Sequence, residues 1–433
     1  MIAVGLVCIT ALFLLIFLQV PVGAALAAVG FAGLIYLSGL GSALGVLSTS
    51  IYSSLSTYSM SVIPLFVLMG YFAFYAGLSQ ALYRAANLWL GWLRGGLAMG
   101  TVVGCAGFAA CSGSSVATGA TMTAVALPEM RRFGYHDGLI TGCLAAGGTI
   151  GILIPPSICF IIYGIITEQS IGKLFMAGII PGIMEVVLYL LTIAILCRLN
   201  PEIAPQTPRN TITLRHKLKA LGDVWAVLLL FILVIGGIYG GIFTPSEAGA
   251  IGAFGAFVLM LTNKKLTRAN FIGALFETGQ TTAMVFFIFV GATIFGYLLA
   301  VSRLPMEMAA WTATLLLNRY IILAGILLVF IALGCIMDTL AIIMLIVPII
   351  FPVILKMQFD PIWFGVIMVR ISEIGLITPP VGLNAYVIKG MAPDVPLATI
   401  FKGIVPFLLA DFASLILLIA FPQISLFLPS LMK

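Results

Sequence analysis

Charge is the scarcest property of this sequence. Only 20 Lys and Arg and 14 Asp and Glu occur among 433 residues, 8% in all, where an ordinary soluble domain carries roughly 25%. Hydrophobic residues supply 62%, more than a soluble fold can hide. Only two histidines occur, His136 and His216, both in polar segments. An intramembrane enzyme would need paired acids, a nucleophile with its base, or facing metal ligands within apolar segments, and these two residues are badly placed for that; no enzyme is expected. The seven cysteines (Cys8, Cys105, Cys111, Cys143, Cys159, Cys197, Cys335) never fall as C-x-x-C, and most sit in apolar runs, so they read as small buried residues. The apolar runs also lack barrel-strand alternation, which leaves helices as the spanning elements. The opening segment, MIAVGLVCITALFLLIFLQVPVG, has no basic n-region and runs on into apolar sequence; it is expected to be a retained span, not a signal peptide.

What is there is apolar runs near twenty residues, each long enough to cross a roughly 30 Å hydrocarbon core. Spans are expected at 2–19, 22–40, 61–79, 139–166, 174–197, 224–242, 246–262, 277–301, 361–389 and 404–428. Residues 96–128 and 320–354 are also apolar, but CSGSS and GCIMDT interrupt them centrally. A helical hairpin that enters and leaves on one side accounts for both, because non-helical backbone at membrane depth must be buried in protein or line a cavity.

That assignment puts fourteen basic residues, from Arg84 and Arg94 through Arg131, Arg132 and the 198–223 loop to Lys389 and Lys402, on one side. Lys173, Arg303, Arg319, Lys356 and Lys433 fall opposite. The richer side is expected to be the cytoplasm, with both termini outside. Topology thus absorbs the net charge of +6, and no nucleic-acid partner is expected.

Each half then reads alike. Residues 1–197 form a first repeat, 198–223 a cytoplasmic linker with a surface helix, and 224–433 a second, inverted repeat. GILIPPS (Gly151 to Ser157) recurs as GLITPPVG (Gly375 to Gly382), and GIIPG from Gly178 is matched by GIVPF from Gly403. Inverted repeats with paired broken helices mark secondary transporters. The fold expected is an all-α polytopic membrane protein of two inverted-topology repeats, each with a hairpin and a discontinuous helix. Residues 42–60 and 304–318 are expected to lie along the interface after equivalent spans.

Proline pairs remove backbone donors and free carbonyls, so the chain should unwind after Gly151, around Pro155, and after Gly375, around Thr378 and Pro379. Ser112, Ser114 and Ser115 form the first hairpin tip, and Asp338 with Thr339 the second. Hydroxyls, carbonyls and a carboxylate are hard ligands suited to Na⁺, so one Na⁺ site per repeat, two in all, is expected. The plainer alternatives are small-residue helix packing for SGSS and a helix cap for Asp338. Proton coupling through Asp338 stays open. Arg370 and Glu373, three apart on one helix, are expected to pair; an incompletely paired Arg370 would receive a substrate carboxylate or sulfonate. Glu373, Asn384, Ser114 and Ser115 are further substrate candidates. Glu185 and Asp411 read as structural or subunit-contact residues, and Glu247, in TPSEAG, as a helix cap.

PLFVLMG (Pro64 to Gly70), GSSVATGATMTAVALPEMRRFGYH (Gly113 to His136), GGTIGILIPPS, TPSEAG, FGVIM and EIGLITPPVGLN (Glu373 to Asn384) together resemble one family. Across essentially the whole chain the sequence is similar to the large membrane subunit of tripartite ATP-independent periplasmic (TRAP) transporters. The resemblance implies a bacterial inner-membrane protein that works with a small four-helix membrane subunit and a periplasmic substrate-binding protein. It also implies Na⁺-driven uptake of a small organic anion, a carboxylate or sulfonate, by an elevator motion, with spans 1, 2, 6, 7 and 8 mainly in the scaffold. A stand-alone divalent-anion symporter would usually carry serine, asparagine and threonine together at both tips, a triplet absent here. A channel would predict pore-lining rings and no coupling ion.

Overall fold

The computed structural model describes residues 1–205, 214–315 and 317–432. Among them the regular structure is helical throughout. The first half runs α1 (Ile2–Phe17), α2 (Val22–Leu55), α3 (Val62–Tyr75), α4 (Leu78–Leu90), α5 (Gly96–Ser112), α6 (Ser115–Arg132), α7 (Asp137–Leu153), α8 (Ile158–Thr167) and α9 (Ile171–Leu199). The second runs α10 (Leu214–Tyr239), α11 (Pro245–Thr262), α12 (Arg268–Ser302), α13 (Leu304–Thr314), α14 (Arg319–Gly334), α15 (Thr339–Lys356), α16 (Pro361–Ile377), α17 (Leu383–Met391), α18 (Leu397–Ala420) and α19 (Gln423–Ser430). Seven of the described helices are long and apolar enough to cross a membrane singly, and α7 with α8, bent by 41°, make an eighth span.

The two interrupted segments each divide into two helices at the expected places, α5–α6 and α14–α15, and the two proline pairs break helices, between α7 and α8 and between α16 and α17. Local chemistry accounts for the first hairpin turn. Gly113 takes a left-handed φ of 60° at the end of α5, where any other residue is strained. Ser114 then starts α6, its hydroxyl accepting from Ala117 N, the usual satisfaction of an orphan amide at a helix start. At the second tip Asp338 starts α15 in the same way.

Several expectations need correction. Residues 80–90, assigned to no element above, belong to α4, whose Leu78, Leu82, Ala85 and Ala86 are buried while Gln80 and Arg84 are exposed. It was missed because a half-apolar stripe falls short of a span. It is α4, not residues 42–60, that follows the third span of its half as α13 follows the third of its own; residues 40–55 instead continue α2 past a kink at Gly39. The span expected from 277 begins at Arg268, and that expected at 404–428 is two helices, α18 and α19. Linker residues 206–213, with Arg209, lie outside the described residues, as do Leu316 and Lys433; the described chain resumes as α10 at Leu214, continuous with the span.

Two groups of helices emerge from the packing. The helix α12 lies along α2 and α3, and α11 lies against α3 and α10; in the other group α5 and α6 pack on α7, α18 on α7 and α9, and α14 on α16. The third span, α3, packs against spans 7 and 8 (α11 and α12) and also touches α5 of the other group. Small residues permit these approaches: a Cβ on Gly375 would sit 2.5 Å from Gly334 Cα, so α14 and α16 touch backbone to backbone. All seven cysteines are free and buried.

Candidate functional site

The two hairpin tips and the two helix breaks meet around one cavity of about 470 Å³. Ser112 to Ser115 and Asp338 with Thr339 line it from the tips, Ile152, Ile158, Leu376 and Leu383 from the broken helices, and α3 and α12 close the far wall. Sequence reasoning overlooked the polar groups on that wall. Glu277 lines the cavity and accepts from Tyr75 Oη (3.2 Å), and Tyr71 Oη shares a hydrogen bond with Thr281 Oγ1 (3.0 Å). Their signal was faint, since a carboxylate at a span terminus usually reads as an interfacial charge.

Around the first break, oxygen atoms converge. Ser112 Oγ and Thr118 Oγ1 are 2.7 Å apart. A Cβ added to Gly151 would lie 3.1 Å from both Ser114 O and Thr118 Oγ1, and one on Gly113 2.7 Å from Pro156 O. Two hydroxyls and backbone carbonyls are thus gathered where Gly151 keeps the space clear, and the proline carbonyl that meets the tip belongs to Pro156, one residue beyond Pro155. Thr118 was missed; as the fourth residue after Ser114 on α6 it shares the face of the tip.

Around the second break, Asp338 Oδ1 accepts from Ala341 N (2.8 Å), so the plainer role of helix cap is realised while Asp338 also lines the cavity. Pro379 O accepts from Cys335 Sγ (3.4 Å), and Thr378 Oγ1 donates to Ile374 O (2.6 Å). Among the described residues no three His, Cys, Asp or Glu side chains are grouped as a metal cluster. The oxygens gathered at the tips are hydroxyls, carbonyls and one carboxylate, hard donors of the kind an alkali cation takes.

The expected Arg370–Glu373 pair does not form, and Arg370 does not line the cavity. Fully buried, it donates from Nη1 to Glu185 Oε1 and from Nη2 to Asp411 Oδ1, both at 2.6 Å. Tyr189 Oη donates to the same Asp411 oxygen. Three residues along a helix leave two side chains roughly 60° apart around its axis, and α9 and α18 offer Arg370 two carboxylates on its own side. Glu185 and Asp411 accordingly have the structural role expected of them. Glu373, also fully buried, accepts instead from Ser115 Oγ of the first tip and from Thr339 Oγ1 of the second (2.8 Å). It stands behind the cavity wall without lining it. Asn384 is 2% exposed, and neither atom of its amide has a hydrogen-bond partner among the described residues; it too stays off the cavity wall.

Away from the cavity, His136 caps α7, its Nδ1 accepting from Gly138 N (3.1 Å). Arg131 spans the two halves through Asp137 (2.8 Å) and Asp394 (2.7 Å), and the guanidinium holds the Asp394 carboxyl below its usual range. Glu247 and Thr244 form the capping box that TPSEAG implied.

Comparison with known proteins agrees with this architecture. Residues 9–424 match the family described as "Tripartite ATP-independent periplasmic transporter, DctM component". The chain is 37% identical over 385 residues to a C4-dicarboxylate TRAP transporter large permease protein of Pseudomonas aeruginosa, covering 89% of each. It is 32% identical to a sialic acid TRAP transporter large permease protein of Vibrio cholerae, covering 96% of each. It is 34% identical to an isethionate TRAP transporter permease protein of Oleidesulfovibrio alaskensis, over 96% of this chain and 65% of that one. Among solved structures the YdaH transporter of Alcanivorax borkumensis superposes with a TM-score of 0.63 at 15% identity, over 99% of this chain and 98% of that one, a likeness of fold. A polytopic all-helical chain whose interrupted helix pairs and broken helices meet around a shared cavity, it belongs to the DctM, or large permease, family of tripartite ATP-independent periplasmic transporters.

Proposed function

We propose that this chain is the large, substrate-translocating subunit of a Na⁺-coupled transporter, taking up a small organic anion across the bacterial inner membrane. The observation that carries the reading is the cavity itself: both tips and both breaks face it, and the opposite wall comes from the scaffold helices α3 and α12. Na⁺ would be held by Ser112, Ser114 O, Thr118 and Pro156 O at the first tip, and by Asp338 with the Gly375–Pro379 backbone at the second. The substrate would occupy the space between them. The inverted repeat supports an elevator motion in which α5–α9 and α14–α18 travel against the α1–α3 and α10–α12 scaffold. Family membership supports a small membrane subunit and a periplasmic binding protein as partners, and the charge bias supports both termini outside. Relatives named for C4-dicarboxylates, sialic acid and isethionate favour a carboxylate or sulfonate as cargo.

The test is uptake into proteoliposomes containing this chain, its small-subunit partner and a loaded binding protein, driven by an inward Na⁺ gradient. Asp338→Asn is the informative variant, because asparagine still caps α15 while removing the charge. Gradient-driven uptake that falls at least about tenfold in this variant, a barrier increase of about 1.4 kcal/mol, is the expected result. Equal uptake on a proton gradient without Na⁺ would sink the proposal in favour of H⁺ coupling.

A further inference from the structure

One carboxylate is shared by two elements far apart in sequence. Glu373 receives a hydroxyl from each tip, Ser115 on Oε2 and Thr339 on Oε1. Among the described residues Glu373 has no ion-pair partner, both terminal nitrogens of Arg370 being committed to Glu185 and Asp411. Each hydroxyl has a single proton to give and two lone pairs. A hydroxyl donating backwards to Glu373 has only lone pairs left for the cavity that both Ser115 and Thr339 line.

We infer that Glu373 is a positioning residue that turns the Ser115 and Thr339 hydroxyls lone-pair-outward, so that the two tips present a shared cation-accepting surface and respond to Na⁺ as a unit. This rests on the Na⁺-coupled reading above and adds how the tips are tuned. A substrate carboxylate finds no hydrogen-bond donor at these two hydroxyls; a cation finds two oriented acceptors backed by a buried negative charge. Because one side chain spans both tips, disturbing either contact loosens the other. Glu373→Gln keeps the length but brings an N–H end, which must donate to one hydroxyl and so turns that O–H into the cavity. Glu373→Asp keeps the charge but withdraws it by about 1.5 Å, one carbon–carbon bond, enough to forfeit one tip.

The experiment is thermal unfolding of the purified full chain, titrated with NaCl against choline chloride at constant ionic strength. Wild type is expected to gain melting temperature with Na⁺, as a bound ligand requires; no gain in wild type would overturn the Na⁺-coupled reading itself. Given that gain, Glu373→Gln should raise the Na⁺ midpoint about tenfold or more, and Glu373→Asp should also raise it. Ser115→Ala and Thr339→Ala should each weaken the response in wild type and add little in the Glu373→Gln background. Na⁺-free melting temperatures serve as the check on folding. A Glu373→Gln midpoint equal to wild type, or fully additive effects of the two tip substitutions, would overturn the inference while leaving Na⁺ coupling intact.

Discussion

Arg370 and Glu373 stand one turn apart on α16, both fully buried, yet their surroundings differ in kind. Arg370 is enclosed by opposite charge from α9 and α18. Glu373 is met only by neutral hydroxyls from the hairpin tips. Buried ion pairs add little net stability but are costly to break, because the survivor is left uncompensated. The Arg370 side of the helix is therefore a structural tie, whereas the Glu373 side leaves its charge to be answered by whatever enters the cavity. Two positions one turn apart on a single helix thus separate holding the fold from tuning the tips.

If that division is right, the two sides should fail differently. The largest effect is expected from Arg370→Met, which strands two carboxylates and should cost roughly 3–5 kcal/mol, read as a lower melting temperature or loss of monodisperse protein. Combining it with Glu185→Gln and Asp411→Asn should restore most of that loss; a single variant that melts like wild type would remove the tie. Next comes Gly375→Ala, whose methyl would meet Gly334 Cα and should cost about 1–3 kcal/mol by overpacking while blunting the Na⁺ response, since α14 carries the second tip. Thr339→Val should behave in the reverse sense, shifting Na⁺-free melting by only about 1 kcal/mol but losing much of the Na⁺-dependent gain. The smallest effect belongs to a site away from both. Thr244 and Glu247 form a capping box at the start of α11, which satisfies orphan amides at an exposed helix end. Glu247→Ala should accordingly lower the melting temperature only slightly and leave the Na⁺-dependent gain unchanged, read in the same titration.

The helical, membrane-embedded character was legible because hydropathy over twenty residues records the solvent directly. The interruptions at both tips and both breaks were legible because Gly113, Ser114, Asp338 and the proline pairs encode them locally. The partner of Arg370 was not. Glu185 and Asp411 stood out as matching positions in the last spans, but only the packing of α9, α16 and α18 brings them to one guanidinium, and no periodicity along α16 carries that information. Helix α4 escaped for a related reason: its apolar side is covered by α5 and α10, so it needs only half the hydrophobicity of a span. Thr118 and Glu277 escaped because each is an ordinary helix residue until a cavity forms beside it.

The cavity wall has a consequence for the order of loading. Among its described residues are two carboxylates, Glu277 and Asp338, and no lysine, arginine or histidine. An anion arriving first would meet two carboxylates with no cationic side chain on the wall to offset them, so the vestibule should bind an anionic cargo poorly until cations have entered. Na⁺ would then be the key that makes the chamber hospitable as well as the fuel for the stroke. Direct titration of a dicarboxylate into the Na⁺-free chain should give no measurable heat, and the same titration in saturating Na⁺ should; equal binding in both would show that the chamber needs no such key.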